Sequence, residues 1–122
     1  MVIDDEPIVL KRLKTALEKS GYEVEIFLNG REAIERLNTS QFDIVVTDVR
    51  MDEVDGIDVL NYVRKNTPET KVVIITGYAT IEMAREALVK GAFDFIAKPF
   101  KPNDLREVIE RVVEAMKKEG KI

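Results

Sequence analysis

The stretch Asp43-Ile44-Val45-Val46-Thr47-Asp48 decides the fold. Its interior is continuously apolar or β-branched, with no polar alternation. That is the pattern of a short strand covered on both faces, as in parallel sheets flanked by helices. A second run, Val72-Val73-Ile74-Ile75, repeats the pattern and delivers Thr76 at its end, as the first delivers Asp48. Two further runs behave alike. Met1-Val2-Ile3 leads to Asp4-Asp5, and Phe93-Asp94-Phe95-Ile96-Ala97 leads to Lys98-Pro99.

Between these runs the apolar period changes from two to that of a helix. Val9, Leu13, Ala16 and Leu17 form a stripe that opens near Pro7, where a first turn tolerates a missing N–H, and closes at Gly21. Tyr22, Val24 and Ile26 alternate as an edge strand would, before Asn29-Gly30 and a short helix with Ala33, Ile34 and Leu37. A third helix follows Gly56 with Ile57, Leu60 and Val63 inward, and a fourth carries Ala84, Ala87 and Leu88 to Gly91. The last has Leu105, Val108, Ile109, Val112, Val113 and Met116 in register from a cap at Asn103 or Asp104. Strands alternating with helices imply right-handed βα units. The expected fold is therefore α/β: a doubly wound, five-stranded parallel sheet of flavodoxin-like order 2-1-3-4-5, with helices on both faces.

In such a sheet all strand carboxyl ends share one edge, and the switch point falls between strands one and three. Asp4, Asp5, Asp48, Thr76 and Lys98 should therefore meet in one acidic, cation-attracting crevice. The composition narrows what that crevice does. With no histidine and no cysteine, His- or Cys-dependent nucleophiles, disulfides and thiolate or imidazole metal sites are excluded. A metal here is held by oxygen, which means a hard cation such as Mg²⁺. The 122 residues, 45% apolar and 34% charged, suit one soluble domain. No apolar stretch approaches the roughly 20 residues needed to span a membrane, and no signal peptide is recognisable, so a cytoplasmic protein without membrane contact is expected. With 19 basic against 23 acidic residues and a net charge of −4, no nucleic-acid footprint is expected in this chain.

The order of these residues on successive strand ends resembles the receiver domain of bacterial two-component response regulators. The resemblance rests on Asp4-Asp5-Glu6, Thr47-Asp48-Val49-Arg50-Met51 with Asp55-Gly56, Thr76-Gly77 and Lys98-Pro99-Phe100, and it covers essentially the whole chain. It implies that Asp48 accepts a phosphoryl group from a histidine kinase. It also implies Mg²⁺ bound by Asp5, Asp48 and the backbone carbonyl of Arg50, with Asp4 assisting. Lys98 would pair with the phosphoryl oxygens, and Thr76 would hydrogen-bond them. Phe95 matches the family's aromatic switch position, and Arg50 and Tyr78 occupy positions that tune how long the phosphorylated state lasts. A surface of the fourth helix, fifth strand and last helix would control a partner, a homodimer or an attached output. Residues from Gly77 to Glu82 and from Ala84 to Ile96 are similar to receivers of enhancer-binding transcriptional activators. A linker to an effector would start within residues 117–122, after the single receiver domain.

Each residue also has an ordinary use: Asp4 and Asp5 as helix caps, Asp48 as a turn residue, Thr76 as a strand end, Lys98 as a solvated loop lysine and Phe95 as core. Two departures stand out. Asp52 occupies a place where receivers often carry proline, adding a carboxylate near the pocket. The first strand has only three residues before Asp4, as if the native N-terminus had been trimmed. Two other functions are compatible with the fold. A haloacid dehalogenase-like phosphatase would need a second acid two residues after its nucleophile, where Arg50 stands. A receiver-like interaction module would need no phosphorylation at all.

Overall fold

The computed structural model describes residues 1–51, 53–77 and 81–121. In chain order the elements are β1 (Val2–Ile3), α1 (Pro7–Lys19), β2 (Ile26–Phe27), α2 (Gly30–Thr39), β3 (Ile44–Asp48), α3 (Gly56–Asn66), β4 (Lys71–Thr76), α4 (Ile81–Val89), β5 (Asp94–Ala97) and α5 (Pro102–Lys118). The strands form one parallel sheet in the order β2-β1-β3-β4-β5. That is the flavodoxin-like order expected from the alternation of strand and helix.

Period-two alternation divides the strand side chains between two cores. Val45, Val72 and Ile74 point to one face with Ile3, Leu37, Leu60 and Val63. Val46, Val73 and Ile75 point to the other with Val2, Leu13, Leu105 and Val112. All of these side chains are buried, so the central strands carry apolar residues on both faces, which is why their sequences show no alternation. Register then fixes the edge: Val2 lies opposite Val46, Asp48 opposite Ile75 and Thr76 opposite Ala97.

Local chemistry sets the helix starts. Asn29 accepts the Glu32 N–H at 2.9 Å, and Asp55 and Asp58 form a reciprocal capping box at the head of α3. The cap expected at Asn103 or Asp104 lies earlier: α5 begins at Pro102, and Asp104 acts from inside the first turn by accepting the Lys101 N–H at 2.9 Å. Pro102, with its fixed φ and missing N–H, suits the first helical position better than either. The second strand is shorter than its alternation suggested, although Val24 is still buried. Leu88 is 49% exposed rather than inward, and among the described α4 side chains Ala87 is the buried one. In α3 Val59 is fully buried, whereas Ile57 is only partly so.

Candidate functional site

β3 ends on Asp48 and β1 delivers Asp4, and both carboxylates are buried at the carboxyl edge of the sheet. Asp4 divides its oxygens. Oδ1 accepts the Glu6 N–H at 2.9 Å, at the N-cap of α1, and Oδ2 accepts a hydrogen bond from the Lys98 ammonium at 2.7 Å. The turn leading into α1 and the pocket are thus served by different atoms of this residue. Asp48 divides its oxygens in the same way: Oδ1 accepts the Arg50 N–H at 3.0 Å, and Oδ2 accepts from Lys98 at 2.8 Å. Lys98 is held in place by its own backbone N–H, which donates to the Thr76 carbonyl at 2.8 Å. The ends of β1, β3, β4 and β5 therefore converge on one lysine, whose ammonium meets Asp4 and Asp48 and whose backbone meets Thr76.

Burial works against the charge on Lys98, but hydrogen bonds to Asp4 and Asp48 outweigh it and hold the ammonium above the ordinary lysine range. Asp5 is exposed, and its carboxyl is raised by partial desolvation, then by the neighbouring charges of Asp4 and Asp48. Glu6 Oε1 lies 3.3 Å from the Lys98 ammonium. Carboxylate oxygens of Asp4, Asp5 and Glu6 come within 4.8 Å of one another, which fits a hard cation with oxygen ligands. Glu6 was not among the expected cation-facing residues. Its only sequence signal is being a third consecutive acid, which a helix start uses equally well.

The loop after Asp48 is folded tightly against the sheet and α3. The Val49 N–H bonds the Ile75 carbonyl at 3.2 Å, and the Gly56 N–H bonds the Val49 carbonyl at 3.0 Å. A Cβ on Gly56 would lie 2.2 Å from the Asp48 carbonyl oxygen, so only glycine fits there. Glu53 forms an ion pair with Arg31, joining the loop to α2. Thr76 is fully buried at the end of β4. Phe95 lies opposite Ile74 on β5 and is partly buried against the core beneath α2 and α3. Arg50 is exposed, and Asp52 and Tyr78 lie outside the described residues.

The sequence profile of the response regulator receiver domain matches residues 1–110. The chain belongs to this family. The receiver is 39% identical over 121 residues to the regulatory protein AtoC of Escherichia coli K12, covering 98% of this chain and 26% of that protein. It thus spans about a quarter of the length of that relative. It is 38% identical to the chemotaxis protein CheY of Thermotoga maritima over 99% of this chain and 96% of that one. Among solved structures, a CheY-like receiver domain from Methanospirillum hungatei superposes with a TM-score of 0.92 at 32% identity, covering 97% of this receiver and 94% of the other chain. NtrX from Brucella abortus gives 0.89 at 33% identity, covering 97% of this receiver and 28% of that chain. The similarity to enhancer-binding regulators stands, and membership in the receiver family displaces the dehalogenase reading. No described helix is long and apolar enough to cross a membrane.

Proposed function

We propose that this receiver takes a phosphoryl group from a histidine kinase onto Asp48. The observation that carries the proposal is the position of Lys98. Its ammonium bridges a buried carboxylate at the switch point of the sheet to Asp4, so one side of the nucleophile already faces fixed positive charge. An Asp48 oxygen attacks phosphorus, the bond from phosphorus to the kinase histidine nitrogen breaks, and that nitrogen keeps the electron pair. The product is an acyl phosphate on Asp48. Lys98 then loses a carboxylate oxygen as partner and pairs with phosphoryl oxygens instead, as a flexible point charge can.

Asp4, Asp5, Asp48 and the Arg50 carbonyl would hold Mg²⁺, with Glu6 close enough to join them. When bound, the ion neutralises charge on the phosphoryl oxygens. The Thr76 hydroxyl would turn to the new oxygens, vacating space for Phe95, so that a local charge event biases the surface of α4, β5 and α5 toward a partner or a second copy. Arg50 and Tyr78 would flank the path of attacking water and prolong the phosphorylated state, whereas Asp52 could shorten it as a base. The single receiver would hand its signal to whatever follows α5, where a linker would begin. DNA contact is assigned to no part of this chain, and a cytoplasmic location fits the kinase reaction.

The experiment is incubation with acetyl phosphate and Mg²⁺, followed by intact mass. A stable gain of one phosphoryl group supports the proposal. Donor turnover without an adduct would indicate a phosphatase, and no change would leave a receiver-like interaction module.

A further inference from the structure

The oxygens that would hold Mg²⁺ come from two separate loops, Asp4-Asp5 after β1 and Asp48 to Arg50 after β3. Residues 27–31, which run from the end of β2 into the first turn of α2, touch both loops. On one side the Phe27 carbonyl accepts the Asp4 N–H at 3.1 Å. On the other, Gly30 and Arg31 meet the stretch that follows Arg50. A Cβ on Gly30 would stand 2.5 Å from the Val54 carbonyl oxygen and 2.8 Å from Val54 Cγ1, and Arg31 forms an ion pair with Glu53. Phe27 and Val54 pack against the same core. The base of the loop is pinned elsewhere, by the Val49 N–H on the Ile75 carbonyl and the Gly56 N–H on the Val49 carbonyl. The contact with α2 therefore acts on the part between those pins.

We infer that residues 27–31 are a brace across the cation site, and that Gly30 and Arg31 are positioning residues that set how far the Arg50 carbonyl stands from Asp4 and Asp5. The inference rests on the Mg²⁺ reading proposed above. Mg²⁺ takes oxygen ligands in near-ideal octahedral geometry at about 2.1 Å, so a small displacement of one ligand-bearing loop is felt in affinity. The brace is itself rigid, because Asn29 caps α2 by accepting the Glu32 N–H at 2.9 Å. Gly30 is buried and lets the loop backbone lie directly on the helix start. Arg31 and Glu53 are largely exposed, so their pair adds little to folding and can be altered without disturbing the core.

The test is an NMR titration with Mg²⁺ alone, following the Val49 and Arg50 amides of the parent, Gly30→Ala, Arg31→Glu and the swap Arg31→Glu/Glu53→Arg. Gly30→Ala should weaken Mg²⁺ binding about tenfold, the scale on which supports behind metal ligands act. Arg31→Glu separates positioning from the long-range field. Added negative charge by itself attracts a cation more strongly, whereas a displaced loop binds it less well. The brace predicts binding a few-fold weaker in Arg31→Glu, restored to the parent value in the swap, which keeps the parent's net charge. An acid suits the first turn of α2, so the urea midpoint of Arg31→Glu in chelator should match the parent and exclude a merely weakened fold. Equal affinity in parent and single variants, tighter binding by Arg31→Glu, or a swap that restores nothing would overturn the brace alone. A parent that binds no Mg²⁺ would overturn the cation reading, and the brace with it.

Discussion

The Lys98 ammonium lies 2.8 Å from Oδ2 of Asp48, joining the end of β5 to the end of β3 across 50 residues of sequence. The same ammonium meets Asp4, which has no exposed surface. Lys98 is therefore the internal counter-ion of two buried carboxylates. Removing it leaves both uncompensated, a situation that costs far more than the pair contributes.

Lys98→Met should accordingly lower stability without Mg²⁺ by about 2 kcal/mol, discounted from fully buried cases because the lysine keeps some exposure. Added Mg²⁺ should recover most of the loss, since it supplies positive charge to the same carboxylates. Urea melts with and without Mg²⁺ check this. Equal stability of the mutant and the parent in chelator would contradict the counter-ion role.

Asp5 behaves oppositely. Desolvation and the charges of Asp4 and Asp48 penalise its ionised form, so Asp5→Asn should raise the melting temperature in chelator. It should weaken Mg²⁺ binding several-fold at the same time, because one oxygen ligand loses its charge. Calorimetric titration with Mg²⁺ reads the second effect, and unchanged affinity would remove Asp5 from the cation site.

Gly56→Ala tests the fold of the loop beneath Asp48. The added methyl would stand 2.2 Å from a backbone oxygen that cannot rotate away, and a loss of about 3 kcal/mol or more is expected. Gly21→Ala meets no atom within 4 Å but must hold φ near +94°, and should cost only about 1 kcal/mol. Denaturant midpoints of the two variants should therefore differ widely.

Acid sensitivity should arise partly at Glu25, whose carboxylate takes Arg36 Nε at 2.8 Å and Nη2 at 3.0 Å. That hydrogen bonding holds Glu25 below the usual glutamate range, with the charge of Arg36 assisting against a small burial penalty. A carboxyl depressed in the folded state stabilises above its unfolded value and loses that contribution as pH falls through its folded value. The pair is exposed, so the effect is small and salt-sensitive. Glu25→Gln should flatten the urea midpoint between pH 5 and 3 in dilute buffer, which compares directly with the parent.

The strand ends were legible because each apolar run stops at a residue that register then places on the common edge. The pairing itself, Asp48 opposite Ile75 and Thr76 opposite Ala97, is read from the structure. What escaped depends on contacts between distant segments. Leu88 continues a helical stripe, yet no core reaches it, and it is 49% exposed. Glu6 reads as a helix-start acid, and only the folded chain brings Lys98 to it from 92 residues away. Gly30 looks like half of an Asn-Gly turn, yet a Cβ there would meet the Val54 carbonyl at 2.5 Å, so it also makes room for the loop that follows Asp48.

The central claim is that Asp48 alone accepts the phosphoryl group, and the most direct measurement is intact mass of Asp48→Asn beside the parent after acetyl phosphate and Mg²⁺. The amide keeps the shape of the side chain but is not a nucleophile, and it relieves like charge beside Asp4, so the variant should fold. The parent should gain one phosphoryl group and the variant none. Full labelling of Asp48→Asn would contradict the assignment and move the acceptor to another residue.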